Sequence, residues 1–292
     1  MKKITSLFAL LVATCSVGFS QQVTGRLHFG QGQTFDILLQ VKTAIGQQAM
    51  GQTMEFNVEA SANHSYKVSN ATEDNTTLNH RMQRIRFNFD GMGQKRGFDS
   101  DVEKDINGQM GKPIKDMLEK KYDIIIDTGG TVKLAMPESI KLAEGDSRMA
   151  IIGSMLKDVT DLVQPPKKGS ASFFKIFPEG QAGKGATWTT TEMSNGGKKE
   201  CAYVIAEITD STIVIDYAET SNSVTKAEMM GNETTTKLSS KGKGKIIVDR
   251  ATGIMKEKTV TTDATGTTES SFGNMPVTSK TTTTITVTPR AE

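Results

Sequence analysis

The chain is dominated by short segments in which apolar and polar residues alternate. Residues 54–58 read MEFNV and residues 85–89 read IRFNF, so every second side chain is apolar. A period of two places one face of a strand against a core and the other in water, which is typical of antiparallel sheets. Further segments of this kind, rich in β-branched residues, are 34–43, 208–217, 246–248 and 281–287. The pattern predicts a mainly β protein.

Two longer segments have the form of hairpins. IIIDTGGTVKL (124–134) and IIVDRATGIMKEK (246–258) each read as a strand, an aspartate, a glycine turn and a second strand. Gly130 and Gly253 supply the positive φ that such turns require. Residues 72–78 and 207–215 form a second matched pair of turns between strands.

These features recur in the same order along the chain. The stretch 32–35 (GQTF) parallels 185–188 (GATW), and the two pairs of turns follow in sequence. We interpret this order as a diverged duplication, roughly 25–136 and 178–290. The predicted fold is a β-rich α+β protein with two related antiparallel curved sheets, each half-barrel-like, and one or two covering helices between the halves.

Helical spacing is found mainly between the two halves. Apolar residues from Ile152 to Val163 recur at intervals of three and four, and Pro165 and Pro166 end the segment. A shorter helix is predicted near 113–121, with Pro113 in its first turn. Each has one apolar stripe, which predicts that it covers a sheet.

The predicted organisation of the chain therefore has four parts. They are a signal peptide at 1–20, an N-terminal β half at 21–136, a helical connector at 137–177 and a C-terminal β half at 178–292.

The first twenty residues have the layout of a secretory signal. Lys2 and Lys3 precede an apolar stretch at 7–12, and small residues lie just before a predicted cut at Gln21. This layout predicts export to the periplasm or the extracellular space. The alternative is an outer-membrane lipoprotein anchored through Cys15, because residues 12–15 (VATC) resemble a lipidation signal.

Charge and cysteine content exclude some classes of function. Without Lys2 and Lys3 the chain has 33 basic and 33 acidic residues, so a nucleic-acid partner is not expected. Cys201 is then the single cysteine, and no intramolecular disulfide is expected. Beyond the signal no run of 18 apolar residues predicts a transmembrane segment.

Motifs that carry chemistry are not recognisable in the sequence. His28, His64 and His80 are not at metal-ligand spacing, and no nucleophile elbow or HExxH motif occurs. The glycines at 30–32 and 242–246 lack the following helix of a phosphate loop, and we interpret both stretches as turns. No catalytic, cofactor-binding or metal-binding residue is predicted, no cofactor is implied, and a non-enzyme is favoured.

Residues 173–191 (FFKIFPEGQAGKGATWTTT) contain the single tryptophan. We expect Phe173, Phe174 and Phe177 to pack on a sheet. Gly185 then turns the chain, and Trp188 begins a strand as the counterpart of Phe35.

The FPE and GxxW elements of this stretch, with the early 32–35 strand and the DxxTG hairpin at 249–253, carry a resemblance. The chain resembles a family of uncharacterised exported bacterial proteins, domain-of-unknown-function family 6263. The resemblance implies export and architecture, and it implies no chemistry. Residues 182–187 depart from the family pattern, because Ala182 and Lys184 replace valines and Ala186-Thr187 replaces an Asp-Ser pair.

Three classes of function remain open. The leading hypothesis is an exported envelope protein that binds an apolar small molecule or lipid. The fifteen methionines fit an adaptable apolar surface, and they equally fit a core with irregular gaps. The alternative is a structural or partner-binding envelope component with a filled core, and the third is a hydrolase without a recognisable motif.

Overall fold

The structure is a computed structural model that describes residues 22–49, 52–91, 93–141, 156–194, 196–229, 232–271 and 273–290. The predicted signal peptide, with Cys15, and the first part of the predicted central helix, with Ile152, lie outside the described residues.

Strands make up most of the described chain. They are β1 Gln22–Thr24, β2 Thr34–Ala49, β3 Gln52–Ala71, β4 Asn75–Gly91, β5 Gln94–Asp99, β6 Lys121–Asp127, β7 Val132–Met136, β8 Gln181–Gly183, β9 Thr187–Ser194, β10 Gly197–Ile208, β11 Thr212–Met229, β12 Asn232–Asp249, β13 Met255–Ser270 and β14 Gly273–Arg290. The prediction of a mainly β protein is confirmed.

Twelve of these strands form one antiparallel sheet. Its order is β7-β6-β4-β3-β2-β14-β13-β12-β11-β10-β9, with β5 paired to β4 outside this path. Each half is a meander of neighbouring strands, and the last strand, β14, pairs with β2 along almost its whole length. The two predicted sheets are therefore joined into one, because β14 satisfies the backbone groups of both inner edges.

One face of this sheet, called the covered face, carries the core. Its largest fully buried side chains include Phe35, Ile37, Leu78, Ile124 and Ile213. The opposite face, called the open face, carries mainly polar side chains. Of the methionines, Met82 and Met255 are buried, as core filling predicts, whereas Met193 is 74% exposed.

Helical segments and the long connection lie on the covered face. Residues 156–160 are helical and lead into a 3-10 turn at Asp161–Val163, with Leu156, Val159 and Val163 buried in the core cluster. Phe174 and Phe177 are buried in the same cluster, as expected. The covering role predicted for these residues is confirmed.

Two short helices lie between β5 and β6. They are α1 Glu103–Ile106 and α2 Gly111–Glu119, and Ile114 of α2 is fully buried. The predicted helix at 113–121 thus begins and ends two residues earlier. Lys121 is already the first residue of β6, where it pairs with Arg81 of β4. No helix among the described residues is long and apolar enough to cross a membrane.

The two halves repeat the same local geometry. In β3–β4 the pairing shifts between Val68 and Asn70, and in β10–β11 it shifts between Ile205 and Glu207. Equivalent shifts occur again, between Ile125 and Ile126 in one half and between Ile247 and Val248 in the other.

Matching turns accompany these shifts. The amide of Gly32 donates to the carbonyl of Val68 (3.0 Å), and that of Gly185 donates to Ile205 (2.8 Å). Both glycines have positive φ, 79° and 83°. The shared pattern supports a duplication, while the exact domain boundaries stay a prediction.

One predicted turn is wrong. Residues 242–246 lie within β12 rather than in a turn, whereas 30–32 does turn, at Gly32. Gly242 lies beneath the side chain of Glu219, whose Cγ would be 2.7 Å from an added Cβ. This glycine therefore makes room for a neighbouring side chain, which a glycine pattern read from sequence does not distinguish from a turn.

Candidate functional site

Two polar clusters lie on the covered face, one in each half. The N-terminal polar cluster consists of His64, His80, Tyr66 and Tyr122, all at most 2% exposed. The ring nitrogens His64 Nδ1 and His80 Nε2 are 3.1 Å apart, and His64 Nε2 lies 2.8 Å from the carbonyl oxygen of Val159. These contacts link the sheet to residues 156–163, called the covering segment.

Tyrosines complete this cluster. The hydroxyls of Tyr66 and Tyr122 are 2.9 Å apart, and Tyr122 donates to the carbonyl oxygen of Leu162 at 2.8 Å. The rings of His80 and Tyr122 stack with centroids 4.4 Å apart. Phe174 lies across Tyr66 at 5.3 Å. The N-terminal half is thus closed by its own side chains.

The hydrogen bonds determine where the imidazole protons lie. His64 Nε2 must donate to the Val159 carbonyl, so its Nδ1 accepts from His80 Nε2. His80 Nδ1 then has a lone pair and no partner, which agrees with its unpaired state among the described residues. Burial lowers the pKa of His64 to about 4, and burial with the nearby His64 lowers the pKa of His80 to about 2. Both rings are neutral at pH 7.

The C-terminal polar cluster consists of Lys199, Cys201, Tyr217, Glu219 and Lys258. Cys201 Sγ lies 3.1 Å from the hydroxyl of Tyr217, which donates to Glu219 Oε2 at 2.6 Å. Lys199 Nζ forms an ion pair with the same carboxylate oxygen at 2.9 Å. The cluster joins charged groups at its outer side to a buried thiol and phenol.

Glu219 is the centre of these contacts. Besides Tyr217 and Lys199, Thr262 donates to Glu219 Oε1 at 2.9 Å. Burial alone would raise the pKa of Glu219, but hydrogen bonds from Tyr217 and Lys199 outweigh it and lower the pKa below its usual range. Glu219 is therefore a charged acceptor whose partners are fixed, and it is poorly suited to accept a further proton.

Lys258 is the exceptional member of the cluster. In the strand register it lies between Ile246 of β12 and Ile285 of β14, within an apolar row of the covered face. Its ammonium lies 4.0 Å from the ring centroid of Tyr217. No carboxylate of the described residues is within ion-pair distance of it. Burial, assisted by the charge of Lys199, outweighs the opposing charge of Glu219 and lowers the pKa of Lys258.

An aromatic row leads to this lysine from the edge of the sheet. Trp188 stacks on Tyr203 with centroids 5.0 Å apart and an interplanar angle of 2°. Tyr203 in turn meets Tyr217 edge-on at 5.2 Å. The buried Nε1 of Trp188 donates to no described residue. Trp188 is the second residue of β9, so its predicted place at the start of a strand is confirmed.

Sequence reasoning predicted no site residue, and it missed both clusters. His64 and His80 are sixteen residues apart, and only the β3–β4 register brings them together. Lys258 had a usable signal, because it shares the period-two face of Val260 and Ala264 in β13. Among the described residues no group of three or more His, Cys, Asp or Glu side chains could hold a metal ion. Cys201 is a free, buried thiol.

The family comparison bears on the C-terminal half. Residues 164–255 match the model of a family of unknown function, DUF6263. The matched segment, less than half of the chain, includes Phe177, Trp188 and the hairpin at Asp249. The resemblance inferred from these motifs is confirmed over that segment. No curated protein matches the sequence.

Solved structures give only distant likenesses. A structure of lipovitellin, described by its lipid–protein interactions, has a TM-score of 0.45 at 10% identity over 90% of this chain and 26% of that chain. The chain thus spans about a quarter of the lipovitellin chain. An outer membrane channel from Pseudomonas putida F1 has a TM-score of 0.24 at 8% identity, over 90% of this chain and 98% of the channel. Scores below 0.5 do not establish a common fold.

Proposed function

We propose that the protein is an exported, non-enzymatic binding protein for an apolar ligand that carries an acidic group, such as a fatty acid or an acidic lipid. The observation that carries the proposal is Lys258, a lysine in an apolar row of the covered face without a carboxylate partner among the described residues. A desolvated ammonium without a counter-ion is costly, and the carboxylate of a ligand would pair with it.

The covered face continues beyond the core as a surface for the apolar part of such a ligand. Along β13, Val260 and Ala264 follow Lys258 on the same face. Ala264 pairs with Ser279 of β14, which pairs with Ile45 of β2, and Ile45 pairs with Phe56 of β3. Ile45 and Phe56 are half-buried and do not belong to the main core cluster. An acyl chain anchored at Lys258 would extend over these residues.

A binding role suits the cluster better than catalysis. Cys201 and Tyr217 are each 3% exposed, and the Glu219 carboxylate is engaged by three donors. A nucleophile needs access and a general base needs a free lone pair. The ammonium of Lys258 has no carboxylate partner among the described residues, which favours electrostatic recognition of a ligand.

This function is tested by measuring how palmitate, bound to delipidated protein, displaces a fluorescent fatty acid. We expect binding by the wild type and about tenfold weaker binding by Lys258→Met, since one charge-assisted contact is lost. Lys256→Met is the matched control, because Lys256 is exposed and adjoins Asp249. Absence of binding by the wild type, or equal loss in both variants, would contradict the proposal.

Export is tested separately by the intact mass of the protein from its native host. Signal cleavage predicts a chain that begins at Gln21 without an adduct. A diacylated chain that begins at Cys15 would indicate the anchored alternative, and retention of Met1 to Ser20 would contradict export.

A second candidate function is recognition of a protein partner by strand addition. β9 ends the sheet and pairs with β10 alone among the described strands, and it contains no proline or lysine to block its outer edge. Met193, 74% exposed, lies on this edge. If strand addition operates, Thr191→Pro should abolish capture of the partner. Thr225→Pro, in the interior strand β11, should instead unfold the sheet. Capture that survives Thr191→Pro would exclude strand addition.

A further inference from the structure

A groove of about 710 Å³ crosses the open face of the N-terminal half. It is lined by Lys67, Arg81, Lys121 and Arg290, with Asn79 and Asp123 at one end. The groove runs across strands β6, β4, β3, β2 and β14, between two rows of side chains fixed by the register. Its volume is typical of small-molecule sites.

The groove brings together Arg81, Lys121 and Arg290 in a chain whose formal net charge is only +2. Among the described residues, the anionic side chains that reach it are Asp123 and Asp36. Asn79 donates to Asp123 Oδ1 at 2.6 Å, and Arg290 lies 3.5 Å from Asp36 Oδ1. Among the described residues, Arg81, Lys121 and Arg290 outnumber these two carboxylates, which gives this part of the groove a positive field.

Arg81 and Lys121 form a like-charged pair within the groove. They are directly opposite each other in the β4–β6 register. Like charges in this arrangement destabilise a sheet, so a sequence selected for stability alone would not retain them. Ser65 lies 3.4 Å from Arg81 Nε and orients the guanidinium. An anion between Arg81 and Lys121 would turn the repulsion into two attractive contacts.

The backbone beneath the groove is rigidly placed. Tyr66, His80 and Tyr122 alternate with the groove residues and are buried in the N-terminal polar cluster on the other face. The backbone positions of Arg81 and Lys121 are therefore fixed before a ligand arrives, which removes the backbone part of the entropic cost of binding.

We propose that this groove binds a ligand with two or more phosphate groups, held by Arg81 and Lys121 with Arg290 at its flank. Guanidinium groups bind phosphate through two parallel hydrogen bonds, and ammonium groups add charge at short range. The groove lies on the face opposite Lys258, so its occupancy is independent of the proposed function.

Titration calorimetry of the full chain with tripolyphosphate at low ionic strength tests the proposal. We expect binding by the wild type and about tenfold weaker binding by Arg81→Gln and by Lys121→Gln. The matched control is Lys245→Gln, which removes an exposed charge of β12 outside the groove. Absence of binding by the wild type, or an equal loss in the control, would overturn the proposal.

Thermal unfolding without ligand separates a binding role from a structural one. Because Lys121→Gln relieves a like-charge contact, its Tm should rise in the absence of ligand. A lowered Tm would show that Lys121 stabilises the fold, and it would count against a ligand role.

The source of the phosphate is distinguished by co-sedimentation with vesicles. Binding to phosphatidylglycerol vesicles, but not to phosphatidylcholine vesicles, that is lost in Arg81→Gln would assign the site to lipid headgroups. Binding of tripolyphosphate without vesicle binding would assign it to soluble phosphate compounds.

Discussion

The two halves of the sheet place different chemistry at equivalent positions. Their shared register matches His64 with Cys201, His80 with Tyr217, Tyr122 with Gly244 and Ala135 with Lys258. In the N-terminal half the stacked rings of His80 and Tyr122 fill the space. In the C-terminal half a glycine replaces the tyrosine and a lysine replaces the alanine.

On the proposed function, this difference lets one backbone serve two purposes. Bulky neutral rings close the N-terminal half and bind the covering segment through Val159 and Leu162. At Gly244 the backbone of Thr259 and Val260 fills the place that a Cβ would need, and Lys258 lies as a cation over the ring of Tyr217. Stability is therefore expected to depend on the first cluster and ligand binding on the second.

The largest effect is expected from Phe174→Ala. Phe174 is fully buried against Phe29, Phe35 and Tyr66, with ring centroids 5.3 to 5.6 Å away. Its truncation should lower the free energy of unfolding by about 3–5 kcal/mol, measured by urea denaturation. Val224→Ala, at a side chain 47% exposed, should change it by less than about 0.5 kcal/mol. Equal effects would contradict the assigned core.

Acid should destabilise the protein through the histidine pair. The folded-state pKa values of His64 and His80 lie below the ordinary 6.5, so the unfolded chain binds more protons as the pH falls. This stability is fully present above about pH 6.5 and is lost toward pH 4, and His64 alone accounts for roughly 3 kcal/mol. The measurement is the free energy of unfolding against pH.

The double variant His64→Gln/His80→Gln is the control for the acid effect. It should be less stable at pH 7, yet its free energy of unfolding should fall less steeply between pH 6.5 and 4. An unchanged slope would show that other groups cause the acid sensitivity.

A smaller loss is expected from Tyr217→Phe. This change removes the hydroxyl that contacts Cys201 and Glu219, while Lys199 and Thr262 still engage the carboxylate. The free energy of unfolding should fall by about 1–2 kcal/mol. Tyr203→Phe is the matched control, since its hydroxyl lies 3.5 Å from that of Thr190 and does not contact Glu219 among the described hydrogen bonds. A larger loss in the control would contradict the assigned network.

Much of the architecture could be predicted from sequence because it depends on local patterns. Period-two segments gave the strands, and the Asp127 and Asp249 turns hold their glycines at positive φ as expected. The joining of the halves by β14 could not be predicted, since an alternating strand does not specify its neighbour. The same limit concealed the contact between His64 and His80.

The glycines of β12 illustrate a second limit. Gly244 is opposite Tyr217 in the register. Its role could be identified only once this cross-strand neighbour was known. The sequence therefore located the strands, though not their full lengths, more readily than the site, because the site consists of pairs across strands.

The most direct test of the central claim is the reactivity of Lys258 toward acetic anhydride, quantified by mass spectrometry with and without palmitate. The account predicts that palmitate slows modification of Lys258 and leaves Lys256, two residues away and exposed, unchanged. Equal protection of both lysines, or no protection of Lys258 when palmitate is bound, would contradict it.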